Sequence, residues 1–301
     1  MKHNFYFPII ILLSSVCILA CTEVGPPINL TPDSTNPIGT KKSGLISDSS
    51  YTETTIPTAD SKRILIEEFS GQSCSNCPNG HDAIEQILAS NNRVSATTIH
   101  FIDNTFPQSL PIAPFDFRTE SGTLISKDLD GVSTTGIPAA RFDRVMFSGA
   151  YTQSTPSSWV TYVNQEMAKS STINLELLSI WDDAIKQDSI ALKVHFTSNN
   201  TDTLGLSLYL VENNIIASQL LQNGSTKSDY IHNNIFRGLV HSSVIKIAGN
   251  KSSGNVKLYQ FRTKVIDETK WNVSNMKIIA FVFKENIGSH EIIQVAETKL
   301  K

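Results

Sequence analysis

The sequence predicts an α/β domain followed by an all-β antiparallel sandwich, and three observations lead to this fold class. Residues 61–170 alternate short apolar segments with segments of helical spacing, as an α/β layer fold does. Residues 171–301 instead hold about six or seven segments in which apolar and polar side chains alternate, the period of half-buried strands. The chain has 301 residues, 40% of them hydrophobic, which suffices for about two domains of ~100–200 residues.

The charge balance gives no indication of a nucleic-acid partner. The formal net charge is −3 at pH 7, and neither sign of charge forms a long run. Binding to nucleic acid would need a concentrated basic face, so the sequence predicts no such partner. It also predicts no cofactor.

The N-terminus is typical of a secretion signal. Lys2 and His3 give a weakly basic start, and the apolar run Phe5–Leu19 follows. At about 15 residues this run is short for a membrane span, which needs ~20, but it has the length of a signal-peptide apolar region. The run leads into Ala20-Cys21, which resembles the lipobox of bacterial lipoproteins. In that class the cysteine thiol is acylated and becomes the first mature residue, so we expect a lipid anchor, such as palmitate, at Cys21.

Two alternatives stay open for this segment: an ordinary signal peptide with a chance cysteine, or an uncleaved N-terminal anchor. Two or more acyl chains would anchor the protein stably, where a single chain would bind a membrane only marginally. Residues 22–60 are rich in Pro, Thr, Ser, Gly and Asn and cannot bury enough apolar surface to offset their chain entropy. We therefore predict that this segment is a flexible tether.

The four cysteines reduce to one pair in the predicted mature protein. Cys17 leaves with the signal, and Cys21 carries the lipid. Cys74 and Cys77 remain, with the spacing CxxC, and a single pair excludes a framework of several disulfides. In an oxidising envelope compartment so short a loop constrains little of the chain, so we expect the pair to serve chemistry.

The residues around this pair predict a strand, a turn, the CxxC and then a helix. Arg63–Phe69 is a short apolar segment interrupted only by two acids near its end. Pro78 suits the first turn of a helix, and the apolar residues that follow it have helical spacing. Cys74 would then lie at the helix N-terminus, where the partial positive charge favours a thiolate. This placement makes Cys74 the attacking thiol and Cys77 the resolving thiol.

Two further residues fit the arrangement that thioredoxin-like proteins have around their CxxC. In those proteins a cis proline lies opposite the CxxC, and Gly136-Ile137-Pro138 resembles that loop. Cis bonds are almost confined to X–Pro, so we predict one before Pro138, with a trans proline at a strand start as the alternative. Glu68, six residues before Cys74, stands where such proteins often place a buried acid. It would relay the proton of Cys77, unless it is solvated at a strand end.

The segment 64–81, ILIEEFSGQSCSNCPNGH, resembles the signature of the outer-membrane-protein-28 family of Gram-negative surface lipoproteins, which are themselves thioredoxin-like. Residues 230–237, YIHNNIFR, resemble a recurrent segment of that family. The resemblance implies a thioredoxin-like fold for residues 61–170. It also implies a lipid-anchored place on the outer membrane, facing the periplasm or the cell surface. Ser73 replaces the aromatic residue that commonly precedes the first cysteine, and the inner dipeptide is Ser-Asn, so the redox direction stays open.

The remaining elements complete the two predicted domains. In residues 61–170 the apolar spacing predicts further strands at Val94–Phe101, Ala139–Val145 and Met146–Tyr151, and helices at Phe115–Leu129 and Pro156–Ala168. In residues 171–301 the alternation predicts strands near 173–181, 190–197, 204–211, 259–265, 277–283 and 292–297. Such a set of strands indicates an immunoglobulin-like antiparallel sandwich.

The second predicted domain shows no catalytic constellation. Its histidines are spread along the chain, and most are expected to be surface or satisfied core residues. His232 and Asn233 are the exception to watch, because they lie in the family-like segment. A sandwich of this kind usually binds another protein or a glycan, or positions its neighbour, and the fold alone does not decide among these roles.

Two functions follow from these residues. The first is a thiol–disulfide oxidoreductase acting on protein thiol or disulfide clients, in which Cys74 attacks and Cys77 resolves. Pro138 would shape the substrate groove, and Glu68 would relay a proton. The second is a non-enzymatic binding lipoprotein of the envelope or cell surface, which keeps the fold as a scaffold.

A metal site is a third interpretation of the same region. Soft thiolates and an imidazole from Cys74, Cys77 and His81 would suit copper or zinc. A closed zinc site needs four ligands, and His100 is a conceivable but distant fourth. The sequence therefore favours redox chemistry over metal binding.

Overall fold

The computed structural model of the chain describes residues 43–102, 115–132 and 136–301. The predicted signal peptide, the predicted lipidation site Cys21 and more than half of the predicted tether lie outside these residues. Strands dominate the described part, where they form one large mixed sheet, one antiparallel sheet of four strands and one separate hairpin. No helix in the described ranges is long and apolar enough to cross a membrane.

The large sheet has eight strands and draws them from both predicted domains. They are β2 (Ile64–Phe69), β3 (Val94–Ile99), β4 (Ala139–Phe142), β7 (Leu204–Glu212), β10 (Ile235–Leu239), β11 (Ile245–Lys246), β13 (Met276–Lys284) and β14 (Ile292–Lys299). The order is β14-β13-β7-β10-β3-β2-β4, with β11 paired to β7. β2 and β3 are parallel, and β10 joins β3 in parallel through the pair Ile235 and Thr98. The strands on either side of residue 170 therefore share one sheet.

The second sheet is antiparallel and has the order β1-β12-β6-β5. Its strands are β1 (Gly44–Thr52), β5 (Ile173–Asp182), β6 (Gln187–Phe196) and β12 (Asn255–Arg262). Apolar side chains of β5, β6 and β12 form a common buried cluster with those of β7 and β13. Alternating side chains of the two sheets thus pack face to face, and the predicted antiparallel sandwich is present in this part of the fold.

Three α-helices accompany the sheets in the described residues: α1 (Cys77–Ser90), α2 (Glu120–Lys127) and α3 (Trp159–Met167). β2 is buried along its whole length because both of its faces are covered. Ile64 and Ile66 pack with apolar residues of α1 and α3, whereas Leu65 and Phe69 pack with aromatic side chains of β7 and β13. This double cover fixes the end of β2, where the CxxC loop begins.

The remaining two strands form a hairpin outside both sheets: β8 (Ile215–Leu220) and β9 (Thr226–His232). Neither strand appears among those predicted from the sequence. For β9 the reason is its sequence, TKSDYIH: the strand is exposed over most of its length and lacks an apolar face.

The prediction of a flexible tether is wrong for residues 44–52, which form β1 and pair with β12 from Gly44 opposite Arg262 to Thr52 opposite Asn255. An edge strand needs only backbone hydrogen bonds to one neighbour, so it can form from polar residues with little apolar surface. Leu45 is the side chain of this strand that packs against the sandwich core.

Two other predicted elements differ from the structure. The predicted helix Phe115–Leu129 is shorter, because Thr119 accepts a hydrogen bond from the Gly122 amide and α2 begins after it. The predicted strand Met146–Tyr151 is a turn, in which Phe147 and Ala150 exchange backbone hydrogen bonds of 2.9 and 3.1 Å. Ser148 and Gly149 both have positive φ there, which an extended strand does not allow. The other strands and helices predicted for residues 63–101 and 139–168 are confirmed within a few residues.

Candidate functional site

The candidate site is the loop that joins β2 to α1. Cys74 and Cys77 form a disulfide there. Cys77 is the first residue of α1, and Cys74 lies in the preceding turn, where its amide donates to the Gly71 carbonyl oxygen over 3.2 Å. The helix thus begins one turn after Cys74, which corrects the predicted position of Cys74 at the helix N-terminus. Cys74 is 3% exposed and Cys77 is fully buried, so Cys74 is the cysteine nearer the surface.

Pro138 lies beside this disulfide, and its bond to Ile137 is cis, as predicted. The Ile137 carbonyl oxygen is 3.6 Å from the Sγ atom of Cys74. A disulfide carries no proton, so this contact is not a hydrogen bond in the oxidised protein. The thiol of a reduced Cys74 would be a weak donor to the same oxygen.

Glu68 is fully buried near the end of β2. Its Oε2 atom accepts a hydrogen bond of 2.8 Å from the hydroxyl of Thr98, whereas its Oε1 atom has no hydrogen-bond partner. Burial raises the pKa of Glu68 to about 8, although the bond from Thr98 works against the rise. The alternative of a solvated acid is therefore wrong, and the carboxyl is mostly protonated at neutral pH.

Gly80, on α1, shows how closely Glu68 and Pro138 approach this helix. A Cβ atom added at Gly80 would lie 2.6 Å from Oε1 of Glu68 and 2.9 Å from Cβ of Pro138. Gly80 is three residues after Cys77, so both lie on the same face of the first helical turn. Glu68 and Pro138 therefore flank the part of α1 that carries Cys77, and only a residue without a side chain fits between them.

His81 connects this loop to the separate hairpin. One ring nitrogen lies 2.8 Å from the Ser70 hydroxyl, and the other lies 2.8 Å from the Tyr230 hydroxyl. The Nε2 atom is also 3.8 Å from Oε1 of Glu68. Burial lowers the pKa of His81 to about 3, with a smaller contribution from His232, so the imidazole is neutral at physiological pH.

A cavity of about 230 Å³ opens beside these groups. Its polar lining includes Glu68, His81, Tyr230 and His232, with Lys227 at the hairpin. The ring of His232 packs against Tyr230, and burial lowers the pKa of His232 to about 4. The family-like segment around His232 thus reaches the CxxC region, although it is about 150 residues away along the chain.

Two glutamines of the site were not among the predicted residues. The side-chain amide of Gln219, on β8, donates to the carbonyl oxygens of Cys74 over 3.0 Å and of Gly71 over 3.3 Å. The amide of Gln72 donates to the Ser218 carbonyl oxygen over 3.1 Å. No local pattern marks either residue, because each acts through a contact about 145 residues away in sequence.

In the described residues, the four side chains considered as metal ligands do not form a metal site. The sulfur atoms of Cys74 and Cys77 are bonded to each other, and both nitrogens of His81 have other partners. His100 is buried against the ring of Phe117 and has no hydrogen-bond partner on either nitrogen. Within the described ranges, no group of three His, Cys, Asp or Glu side chains has a geometry that could hold a metal ion.

A family model described as outer membrane protein Omp28 matches residues 129–301, more than half of the chain. The chain belongs to the Omp28 family. The match begins after the CxxC loop, so it covers Pro138, Gln219 and His232 but not Cys74 or Cys77. No curated protein matches this Omp28 member.

Among solved structures, HBP35 of Porphyromonas gingivalis is similar to this Omp28 member with a TM-score of 0.56 and 17% sequence identity. The similarity covers 80% of this chain and 76% of that chain. A domain of the outer membrane lipoprotein Omp28 from the same organism is 19% identical, with a TM-score of 0.28, over 44% of this chain and 89% of that chain. At these identities the likeness to HBP35 concerns the fold alone.

Proposed function

We propose that this Omp28-family protein is an outer-membrane lipoprotein, anchored through Cys21, whose Cys74–Cys77 pair exchanges disulfides with protein clients. The observation that carries the proposal is the disulfide at the start of α1, with the Ile137 carbonyl oxygen 3.6 Å from Sγ of Cys74 and the buried, largely protonated carboxyl of Glu68 against Gly80 in the same helix. The order of strand, CxxC turn, helix and later cis proline supports a thioredoxin-like interpretation of residues 61–170. Residues 22–42 would connect the lipid to β1.

The exchange starts from the oxidised protein. A client thiolate attacks Sγ of Cys74, the more exposed of the two cysteines, and the bond between Cys74 and Cys77 breaks. Its electron pair leaves on the sulfur of Cys77, and the protonated carboxyl of Glu68 donates the proton that neutralises this thiolate. The product is a mixed disulfide between the client and Cys74.

A second client thiolate then attacks the client sulfur of the mixed disulfide. Cys74 leaves as a thiolate, the client gains a disulfide, and the protein is reduced by two electrons. The same steps in reverse reduce a client disulfide, with ionised Glu68 taking the proton of Cys77. The carbonyl oxygen of Ile137 lies where it would hold the thiol of Cys74 or the backbone of a client.

The test is a trapping experiment in intact cells. We expect Cys77→Ser to accumulate a mixed disulfide between Cys74 and a client, because the resolving thiol is gone. Cys74→Ser should abolish both the trapped complex and the activity of the wild type in insulin reduction or ribonuclease refolding. A wild-type protein without activity in either assay, together with no trapped complex, would contradict the proposal.

A second function is favoured by one observation, namely that the two cysteines are almost completely buried. In this alternative the disulfide is structural, and the protein binds a protein or glycan at the envelope without catalysis. Cells that carry Cys74→Ser together with Cys77→Ser distinguish the two functions. A partner that is still captured by the double variant at wild-type yield would favour the binding role.

A further inference from the structure

The hairpin formed by β8 and β9 lies directly on the CxxC loop. In addition to the two glutamine contacts, the backbone amide of Leu220 donates to the Gln72 carbonyl oxygen over 2.9 Å. Gln219 reaches the backbone on both sides of the turn, at Gly71 and at Cys74. The end of β8 therefore covers the same turn that an incoming thiolate would have to approach.

The hairpin is separate from both sheets, with β8 largely buried and β9 exposed over most of its length. It forms a sheet of its own, and the residues of its turn and most of β9 are exposed. Its apolar anchor is a small cluster that contains Phe117, Ile215, Ala217 and Ile235, with Phe115 packed against it. Elements with few buried apolar contacts and exposed backbone hydrogen bonds open at low free-energy cost.

The two ends of the hairpin have the features of a hinge. Asn213-Asn214 precedes β8 and Asn233-Asn234 follows β9, and the two pairs bond to each other reciprocally. The Asn214 amide donates to the side chain of Asn233 over 3.0 Å, and the Asn234 amide donates to the side chain of Asn213 over 2.8 Å. Asn214 and Asn234 both have φ near +57°, at 57° and 58°. Asparagine tolerates this conformation, and such element-terminal positions can absorb the rotation of a moving segment.

The closed contact also leaves polar atoms without partners. The Oε1 atoms of Gln72 and Gln219 are buried and accept no hydrogen bond. A buried acceptor without a partner costs free energy that it regains when water reaches it. Lifting the hairpin would break the amide hydrogen bonds but hydrate both of these oxygens. This hydration would offset part of the cost of opening the hairpin.

From these observations we propose that the β8–β9 hairpin is a hinged cover, which must lift before a thiol can reach Cys74. Gln219 is the positioning residue that holds the cover closed, and the two asparagine pairs are its hinge. The cover would give access to clients that displace β8 and would protect the disulfide from others. This inference rests on the proposed exchange function for its biological meaning, but the movement itself can be measured without a client.

The test is the rate at which dithiothreitol reduces the Cys74–Cys77 disulfide in the full chain, followed by alkylation and mass spectrometry of the peptide that holds both cysteines. We expect Gln219→Ala to raise the second-order rate constant about fivefold, the effect of losing hydrogen bonds of ordinary net strength. Gln222→Ala is the matched control, because Gln222 is exposed in the turn of the same hairpin, and it should leave the rate unchanged. Equal rates for the wild type and Gln219→Ala would overturn the proposal.

A second measurement on the wild type keeps the proposal testable if Gln219→Ala does not fold. The amide of Leu220 should exchange its hydrogen much faster than the amides in the middle of β7, because the cover opens without global unfolding. If the amide of Leu220 were as protected from hydrogen exchange as those of β7, the hairpin would open only when the protein unfolds. That result would also overturn the proposal. A protein with a mobile cover but no activity on insulin would contradict only the exchange function, so the two failures are distinguishable.

Discussion

Glu67 and Glu68 are adjacent on β2, but their carboxyl groups lie in opposite electrostatic environments. Burial alone would raise the pKa of Glu67, but the guanidinium of Arg144, at 2.8 and 2.9 Å, outweighs burial and lowers this pKa. For Glu68 burial prevails over the hydrogen bond from Thr98 and, with a smaller contribution from the charge of Glu85, raises the pKa to about 8. Glu67 therefore stays ionised in its pair with Arg144, whereas Glu68 is able to donate and accept a proton near neutral pH.

The raised pKa of Glu68 predicts a pH dependence of stability. In the unfolded chain Glu68 loses its proton above its ordinary pKa of 4.5, but in the folded protein it keeps the proton until about pH 8. The folded state thus binds more protons in this window, and the free energy of unfolding falls as the pH rises from about 5 to about 8. Glu68→Gln should remove this contribution, which amounts to at most about 4 kcal/mol.

Urea unfolding at several pH values between 5 and 8 gives the slope of the free energy of unfolding against pH. The effect of Glu68 is the difference between the slopes of the wild type and of Glu68→Gln. Asp143 and Asp188 contribute to the slope in the same direction, because burial raises the pKa of each to about 7, but both proteins share that contribution. Glu120→Gln serves as a control, since Glu120 is exposed on α2 and is not among the groups that shift the pKa of Glu68. Identical slopes for the wild type and Glu68→Gln would show that Glu68 is not protonated in the folded protein.

At the scale of elements, the three helices begin in different ways. α1 has a proline in its first turn, and α3 follows a 3₁₀ turn that starts at Pro156; neither Asn76 nor Ser158 makes a side-chain cap bond. A proline removes one of the amide donors that a cap would satisfy. α2 has no proline at its start, and the hydroxyl of Thr119 accepts from the Gly122 amide over 2.9 Å. The start of α2 thus depends on one side chain.

Thr119→Ala should accordingly lower the free energy of unfolding by about 1 kcal/mol, the usual cost of losing an N-cap. Ser158→Ala provides the matched control, because Ser158 holds the same position at the start of α3 without making a cap bond. Chemical denaturation of the two variants measures the difference. A loss of the same size in both would mean that the bond from Gly122 contributes nothing to stability.

At the scale of the whole molecule, buried ion pairs hold residues 61–170 together, and one of them also contacts the second predicted domain through Tyr209. Arg144 follows β4 and contacts Glu67 on β2 and the hydroxyl of Tyr209 on β7. Lys62 is buried between Asp143 and Glu166, at 3.0 and 3.1 Å. Because each group lies away from water, the loss of one partner leaves an uncompensated charge.

Arg144→Met should therefore lower the free energy of unfolding by about 3–5 kcal/mol, because it leaves the buried carboxyl of Glu67 without its partner. Arg118→Met removes a cation that is paired with Asp116 at the surface, at 2.6 Å, and should cost at most about 1 kcal/mol. Thermal or urea unfolding of both variants gives the comparison. Similar losses in the two variants would contradict a specific role for the buried pair.

The sequence predicted the parts of the fold in which a local pattern carries the information. The apolar spacing of Ile84 and Ile87 predicted α1, and alternation predicted the sandwich strands, because each pattern reflects a face that must be buried. These two patterns depend on neighbours within a few residues, so a single sequence contains them. The cis bond before Pro138 was predicted in another way, from the resemblance of Gly136-Ile137-Pro138 to the loop that lies opposite the CxxC in thioredoxin-like proteins.

The sequence did not predict the hairpin or the roles of Gln72 and Gln219. β9 has almost no apolar side chains, and it contacts residues about 150 positions earlier, as Tyr230 does with His81 on α1. In the same way, nothing in the pair Glu67-Glu68 distinguishes the ionised acid from the protonated one. That difference arises from Arg144, which is 77 residues away from Glu67.

The sharing of one sheet by strands from both predicted domains has a consequence for cutting the chain. A fragment that starts at residue 171, or at residue 129 where the family match begins, would lack β2 and β3. β10 would then become an outer strand with an unpaired edge, and the apolar residues that pack with Leu65, Phe69 and Ile99 would face water. Such an edge recruits other chains, so the fragment would aggregate rather than fold as a separate unit.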